Sequence, residues 1–295
     1  MAFLFESFED WKKYAGQKNM SLSDIVLEYE QEQKNRSRQE TMDGLANALA
    51  VMKDAVRTGL EEDMTSRSGM INNGAKKVYR YPKAVLSKEF QNLIARALAA
   101  KEVNSCMGRV VAAPTAGASG IMPGVLFTLQ EIHNIEDKKI LEAMLISAGI
   151  ALIMEQKASI SGAVGGCQAE TGTAAAMGAG AIVYCLDGDI DQIFNAVAIT
   201  VQCMLGLVCD PVAGLVEIPC VVRNASAAAI ANSSAQIALA NVSSVIEAMG
   251  EIGASMETRY KETALGGLAA TKTGQAIAKR VLIRDIEMLP DEGVK

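Results

Sequence analysis

Three of the six cysteines stand at points where the helical pattern of the chain breaks. Cys167 follows a pair of glycines, Cys209 precedes an Asp-Pro pair, and Cys220 follows a proline. Because no helical period relates them, thiols in these places are typical of a site assembled from several loops. Three thiolates are one ligand short of a closed tetrahedral zinc or iron–sulfur site. An incomplete ligand set leaves one metal position open, which is what a Lewis-acid catalyst needs.

The other reactive side chains are weaker candidates. Cys106, Cys185 and Cys203 lie inside apolar helical patterns, so we expect them to be buried structural side chains. On spacing alone, a structural role also remains open for Cys167, Cys209 and Cys220, the three cysteines at breaks in the helical pattern. His133, the sole histidine, lies in a polar stretch typical of a solvated helix end, which argues against a Cys–His nucleophilic pair. The chain has no glycine-rich phosphate loop of the nucleotide-binding type.

The elements that position these thiols are predicted to be helices. Half of the 295 residues are apolar, but only 4% are aromatic, so the core is built mainly from Ala, Gly, Leu, Ile, Val and Met. Such a composition favours close-packed helices over a β-sandwich. We therefore predict an all-α fold, a compact single helical domain whose Gly/Ala-rich loops converge on the cysteine site.

Charge and cysteine content exclude several classes of protein. The net charge of −6 argues against nucleic acid as the main partner, because phosphate binding needs a basic face. Six cysteines are too few for a disulfide scaffold and no signal peptide is recognisable, so we expect a cytoplasmic protein with reduced thiols. The uncharged runs 171–186 and 192–209 are at or below the lower limit of a membrane span. We expect both to be central helices enclosed by their neighbours, with no membrane contact.

Helical periods alternate with irregular stretches along the chain. A first period covers residues 5–14, Ser21 or Ser23 caps a polar segment that reaches about residue 38, and residues 42–60 form an amphipathic face. Residues 61–81 lack a clear period and predict an irregular loop, which is either an exposed connection or a loop that reaches a site. The helical pattern returns at 85–107.

Small side chains dominate four segments, at 112–124, 159–180, 209–214 and 265–271. Such segments allow a ligand or another backbone to approach closely. The Thr and Ser hydroxyls and the free backbone N–H groups of residues 112–124 suit an anionic group such as a carboxylate.

The motifs in these segments resemble those of one enzyme family. They are PTAGASGIMPG at 114–124, GAVGGCQAETGTAAAM at 162–177, CDPVAGLVEIPCVVRN at 209–224 and KETALGGLAATKTG at 261–274. Together they are similar to the alpha chain of the iron–sulfur L-serine dehydratases, and the likeness extends to KEVNSCMGRV at 101–110 and to the loop 65–74. The resemblance implies one catalytic domain over 1–295, with an N-terminal helical segment at about 1–60 and cluster and substrate loops at about 61–275.

The resemblance also implies a cofactor and a reaction. In that family three cysteines hold a [4Fe–4S] cluster, and they correspond to Cys167, Cys209 and Cys220. The implied reaction is the deamination of L-serine to pyruvate and ammonia. The iron without a cysteine ligand acts in it as a Lewis acid on the substrate hydroxyl.

The carboxylate of L-serine would need its own binding groups. The candidates are Thr115, Gly117, Ser119, Arg223 and Asn224. Arg223 suits a carboxylate as a bidentate partner, but an ion pair at a surface or interface accounts for it equally well. Ser66 is a further candidate for the same pocket.

The general base remains unassigned. His133 lies outside every motif, and Lys272, Thr271 and Ser66 are the local candidates. In the family that the chain resembles, the alpha chain pairs with a smaller beta chain, or a smaller domain is fused at the N-terminus. This sequence lacks the fused domain, so we expect a beta chain to supply part of the active site.

Two alternative functions stay open at this point. The same site could act on L-threonine or another small hydroxy acid, since a pocket lined by Ala and Gly poorly excludes one methyl group. The chain could also be a non-catalytic helical interaction module whose cysteines are buried structural residues.

Overall fold

The computed structural model of this chain describes residues 5–242, 272 and 275–280. Over these residues the chain is helical, and its only extended pairing is an isolated bridge between Thr65 and Asn72. The prediction of an all-α fold is therefore confirmed. The helices are α1 (Phe8–Lys18), α2 (Leu22–Lys34), α3 (Arg38–Glu61), α4 (Gly74–Arg80), α5 (Lys88–Ser105), α6 (Ile121–His133), α7 (Asp137–Lys157), α8 (Gly162–Gly165), α9 (Cys167–Cys185), α10 (Ile190–Met204) and α11 (Cys220–Leu239).

Helix α9 forms the centre of the fold. It packs against α6, α7, α10 and α11, and nearly all of its side chains are buried. Its glycines permit these contacts: a Cβ on Gly180 would lie 2.4 Å from Cδ1 of Ile150 in α7. The prediction that residues 171–186 form an enclosed central helix is confirmed, since α9 runs to Cys185.

Helix α10 departs from its prediction. The helix ends at Met204, because Leu205 is extended and Gly206 adopts a φ of +87°. Cys203 is exposed, so the expectation of a buried structural thiol is wrong there. Cys106 is only partly buried at the end of α5, whereas Cys185 is buried as expected. The prediction that an enclosed helix reaches residue 209 is also wrong.

The N-terminal helices are held by one buried tryptophan. Trp11 has no exposed surface, and its indole Nε1 donates to the Leu22 carbonyl oxygen at 3.1 Å. Its ring stacks on Phe5, with 5.0 Å between ring centroids. A Cβ on Gly149 would lie 2.2 Å from this ring, so α7 and the indole are in direct contact. Ser21 caps α2 by accepting a hydrogen bond from the backbone N–H of Asp24, as one of the two predicted caps.

The segment 61–81 is not wholly irregular, because it contains α4. Its N-terminal Ala75 N–H donates to both carboxylate oxygens of Glu102 at 3.2 Å each. Asn73, the residue before α4, has no side-chain capping bond to the helix. The cap therefore comes from a residue of α5 distant in sequence, which is why the local pattern did not predict this helix.

Helix α5 supports the loops that lead to the site. It packs against α3, α4, α6 and α11. A Cβ on Gly120 would lie 2.1 Å from the Ala97 carbonyl oxygen, and one on Gly59 would lie 2.4 Å from that of Ala99. The backbone therefore approaches α5 at distances that exclude any side chain.

No helix among residues 5–242, 272 and 275–280 is both long enough and apolar enough to cross a membrane.

Two glycines of α3 provide a matched test of this packing. Gly59→Ala should lower the free energy of unfolding by about 2–3 kcal/mol, because its methyl group meets rigid backbone of α5. Gly44→Ala should raise it by about 0.5–1 kcal/mol, since Gly44 is exposed with no atom in the way. Urea unfolding of both variants measures this, and equal effects of the two substitutions would contradict the packing described.

Candidate functional site

Three separate segments bring the predicted thiols into one buried region. Cys167 is the first residue of α9, Cys220 is the first residue of α11, and Cys209 lies in the non-helical segment after α10. All three side chains are buried, and the Sγ atoms of Cys167 and Cys209 are 3.8 Å apart. The breaks in the sequence pattern therefore coincide with two helix starts and one connecting segment.

Gly166 allows the start of α9, with Cys167, to lie against the segment that carries Cys209. It separates α8 from α9 with a φ of +78°, a conformation that glycine adopts without strain. A Cβ there would lie 3.0 Å from the Leu207 carbonyl oxygen. The missing side chain thus lets the residue before Cys167 touch the segment that carries Cys209.

Arg223 contacts the Cys167 thiol from α11. Its Nη1 lies 3.2 Å from Sγ of Cys167 and donates to the Val208 carbonyl oxygen at 2.7 Å and to Oδ1 of Asp210 at 2.8 Å. Arg223 therefore forms a largely buried ion pair with Asp210 and places positive charge beside Cys167. Binding of a substrate carboxylate by Arg223 stays a prediction.

The surroundings favour a thiolate at Cys167. Hydrogen bonding with Cys209 and the charge of Arg223 lower the pKa of Cys167 to about 7, although burial opposes this shift. Burial and the nearby charge of Cys167 raise the pKa of Cys220 to about 12. Cys167 and Cys220 also lie in the first turns of α9 and α11, where the helix dipole stabilises negative charge. The thiolate is the form of cysteine that binds metals, and of these two thiols Cys167 is the one whose surroundings favour it.

The loop 114–120 lies beside the thiols. Oγ1 of Thr115 donates to Oε1 of Glu170 at 2.5 Å, one turn along α9 from Cys167. Gly117 faces the same carboxylate, because a Cβ on it would lie 2.5 Å from Oε1 of Glu170. The hydroxyl of Ser119 is buried and has no hydrogen-bond partner among the described residues. Such a group is free to bind a ligand.

Asn224 fastens this loop to α11. Its Oδ1 accepts from the Gly120 N–H at 2.9 Å, and its Nδ2 donates to the carbonyl oxygens of Gly117 at 2.8 Å and Cys220 at 2.9 Å. The side chain has no exposed surface. These contacts give Asn224 a positioning role, and direct contact with substrate stays a prediction.

The loop before α4 reaches the same region through Glu217. Oγ of Ser66 donates to Oε2 of Glu217 at 2.6 Å, and Ser68 bonds the same oxygen. Both Ser66 and Glu217 are buried. The loop therefore reaches the site, as one of its two predicted readings required, and the catalytic role of Ser66 stays a prediction.

Sequence reasoning assigned no role to three charged residues of this region, Lys101, Glu170 and Glu217. Lys101 has no exposed surface, and the charges of Cys220, Glu170 and Glu217 act on it. Burial lowers the pKa of Lys101. The sequence gives no local signal for this burial, because Asn104 and Ser105 follow one turn after Lys101 on the same helix face.

The remaining candidates are exposed or lie outside the described residues. Lys272 is helical and exposed. Thr271 and most of the motif at 261–274 lie outside the described residues. His133 is exposed at the end of α6, as expected for a solvated helix end.

No three His, Cys, Asp or Glu side chains in the described part of the chain converge as they would around a single metal ion. The arrangement is therefore that of an all-α protein with buried thiols, carboxylates and cations supplied by several helices and by the loops between them.

Known proteins are similar in sequence to this chain over most of its length. The family model described as serine dehydratase alpha chain matches residues 17–269. The chain is 39% identical over 287 residues to the probable L-serine dehydratase alpha chain of Bacillus subtilis (strain 168), covering 94% of this chain and 95% of that protein. It is 41% identical over 275 residues to the L-serine dehydratase alpha chain of Peptoniphilus asaccharolyticus, covering 90% and 94%. It is 34% identical over 284 residues to L-serine dehydratase 2 of Escherichia coli (strain K12), covering 90% of this chain but 61% of that protein.

The chain belongs to the serine dehydratase alpha chain family. The resemblance inferred from the four motifs is thereby confirmed.

The fastening role of Asn224 can be tested with a second asparagine of α11. Asn224→Ala should lower the free energy of unfolding by about 3 kcal/mol, because it leaves the buried Gly120 N–H unpaired. Asn232→Ala should leave stability unchanged or slightly raised, since Asn232 is exposed and Ala favours a helix. Thermal and urea unfolding measure both, and a stable Asn224→Ala variant would refute the role.

Proposed function

We propose that this chain is the catalytic alpha chain of an L-serine dehydratase, which converts L-serine to pyruvate and ammonia with the help of a [4Fe–4S] cluster. The observation that carries the proposal is the contact between the buried thiols of Cys167 and Cys209, with buried Cys220 near enough for the charge of Cys167 to act on it. The names of the relatives from Bacillus subtilis and Peptoniphilus asaccharolyticus support the same reaction.

The donor set suits the proposed cofactor. Cys167, Cys209 and Cys220 are free thiols, and sulfur is the ligand type that iron–sulfur clusters use. In such a cluster each thiolate binds a different iron, so three cysteines need not converge on one point. When bound, the cluster supplies an iron without a cysteine ligand, which stabilises the negative charge of the departing hydroxide as a Lewis acid.

The residues of this chain would then bind and orient the substrate. Ser119 offers a buried hydroxyl that no described residue satisfies. Thr115 and Gly117 lie against Glu170, which fixes the position of the loop next to α9. Arg223 places its positive charge next to the Cys167 thiol, and Asn224 binds the loop 114–120 to α11. Donors held in place before substrate arrives do not need to reorganise during the reaction.

A partner chain is part of the proposal. The chain spans 95% of the Bacillus subtilis alpha chain but 61% of the longer Escherichia coli enzyme, so that relative carries further sequence. A general base works best when it titrates near the working pH, as histidine does. The one histidine, His133, is exposed at the end of α6. We therefore propose that a smaller beta chain supplies the base and covers the pocket.

A reducing compartment suits this site. All six cysteines are free thiols in the structure, and thiols remain free in the cytoplasm. We accordingly propose a cytoplasmic location.

The cysteine assignment predicts which thiols are needed for iron. Cys167→Ser, Cys209→Ser or Cys220→Ser should each abolish retention of iron and sulfide in anaerobically purified protein, because a hard hydroxyl replaces a soft thiolate. Cys203→Ser, at an exposed position of α10, should retain both. Iron and sulfide assays measure this. Loss of iron in Cys203→Ser with retention in Cys209→Ser would overturn the assignment.

The partner hypothesis predicts low activity for the chain alone. Iron-loaded chain without a beta chain should form pyruvate from L-serine slowly, and titrating in the beta chain should raise the rate at least about a hundredfold, the usual contribution of a general base. His133→Ala should change neither rate. Full activity without the beta chain would contradict the hypothesis. Turnover of L-threonine in the same preparation tests the alternative substrate.

A further inference from the structure

Three loops of the site rest on the last turns of α5. The Gly120 backbone touches Ala97, and the Ala75 N–H donates to Glu102. One turn further, Oγ of Ser105 donates to the Val216 carbonyl oxygen at 3.2 Å, next to Glu217. The loops that carry Ser119, Ser66 and Glu217 therefore meet over one short stretch of α5.

Lys101 lies in the middle of this stretch and is fully buried. Its Nζ donates to Oδ1 of Asn104. An ammonium group has three N–H donors, so two of them have no hydrogen-bond partner among the described residues. A buried ammonium with unused donors is costly unless an anion approaches it, and the lowered pKa of Lys101 reflects this burial.

The acidic neighbours of Lys101 have hydroxyl partners of their own. Glu170 accepts from Thr115, and Glu217 accepts from Ser66 and Ser68. Arg223 is engaged with Asp210 and Cys167. Nη1 of Arg223 is thus occupied beside the thiols, whereas Lys101 is a fully buried cation with two donors that no described residue accepts.

A second unused donor lies on the same support. The buried hydroxyl of Ser119 has no described partner, and its neighbour Gly120 contacts α5 one turn before Lys101. A charged and a neutral donor held on neighbouring turns of one helix surface suit a small carboxylate.

We infer that Lys101, together with Ser119, binds the carboxylate of the amino-acid substrate. This inference rests on the proposed function and deepens it, because it assigns to Lys101 the selection of a substrate with an anionic group. An amino alcohol, which lacks the carboxylate, should then be bound poorly.

The test uses the iron-loaded enzyme with its beta chain. Lys101→Met should raise KM for L-serine about 30-fold, the effect of losing a hydrogen bond to a charged group. The value of kcat should change far less, because the carboxylate is bound in both ground and transition states. Ser119→Ala should raise KM about fivefold, since a neutral hydroxyl contributes less. Iron content and far-UV circular dichroism show whether each variant is folded and loaded.

Arg96→Met is the matched control. Arg96 is a largely buried cation of the same helix, but it bonds Thr128 and Glu131 of α6. Its substitution should leave KM unchanged. If Lys101→Met fails to fold, Ser119→Ala decides the outcome, because the Ser119 hydroxyl bonds nothing in the described protein.

A binding measurement separates this inference from the proposed reaction. Calorimetry should show that L-alanine, which cannot lose water, binds the wild-type enzyme and binds Lys101→Met about 30-fold more weakly. L-alaninol should bind neither measurably. Equal affinity of wild type and Lys101→Met for L-alanine, or equal KM for L-serine, overturns the inference while leaving the reaction intact. Lys101-dependent binding of L-alanine without any pyruvate from L-serine would overturn the reaction and keep the carboxylate site.

Discussion

The close approach of backbones at alanine and glycine is the constraint on which the rest of the structure depends. Helix α9 is enclosed by four helices, and α5 receives α3 and the loop 114–120 where no Cβ fits at Gly59 or Gly120. Elements come this near only where their side chains are very small. As a result, the loops that carry hydroxyls, thiols and carboxylates lie deep in the molecule rather than over its surface.

This burial determines the electrostatics of the site. Charged groups removed from water need partners, and here the partners come from other segments of the chain. Arg223 pairs with Asp210 and contacts Cys167, and Ser66 donates to Glu217. The first turns of α9 and α11 add positive potential at Cys167 and Cys220. The thiol region is thus organised by the protein itself, with polar groups already oriented before any ligand enters.

The sequence predicted the helical class, and it indicated that three cysteines stand where helices begin or end, because both leave local signals. Apolar periods mark helices, and Cys167, Cys209 and Cys220 interrupt those periods at glycine and proline. Features that depend on distant contacts left no such signal. The cap of α4 comes from Glu102, and the exposed face of α10 at Cys203 depends on where neighbouring helices end.

Lys101 shows a different limit of sequence reasoning. A lysine in an amphipathic helix is ordinarily assigned to the solvated face. Its burial follows only from the loops that cover α5, and these come from three distant parts of the chain. Positions of this kind become visible once the packing is known.

The cap on α4 has a consequence for the order in which the chain folds. A seven-residue helix is too short to be stable alone, since nucleation costs more than a few backbone hydrogen bonds return. Glu102 provides its cap only after α5 has formed, so α4 and the preceding Ser66 loop consolidate late. From the same dependence we expect residues 64–80 to form a cooperative unit that opens before the core unfolds, in the manner of a foldon. Opening of this unit would expose the Glu217 side of the site through local unfolding rather than through a hinge.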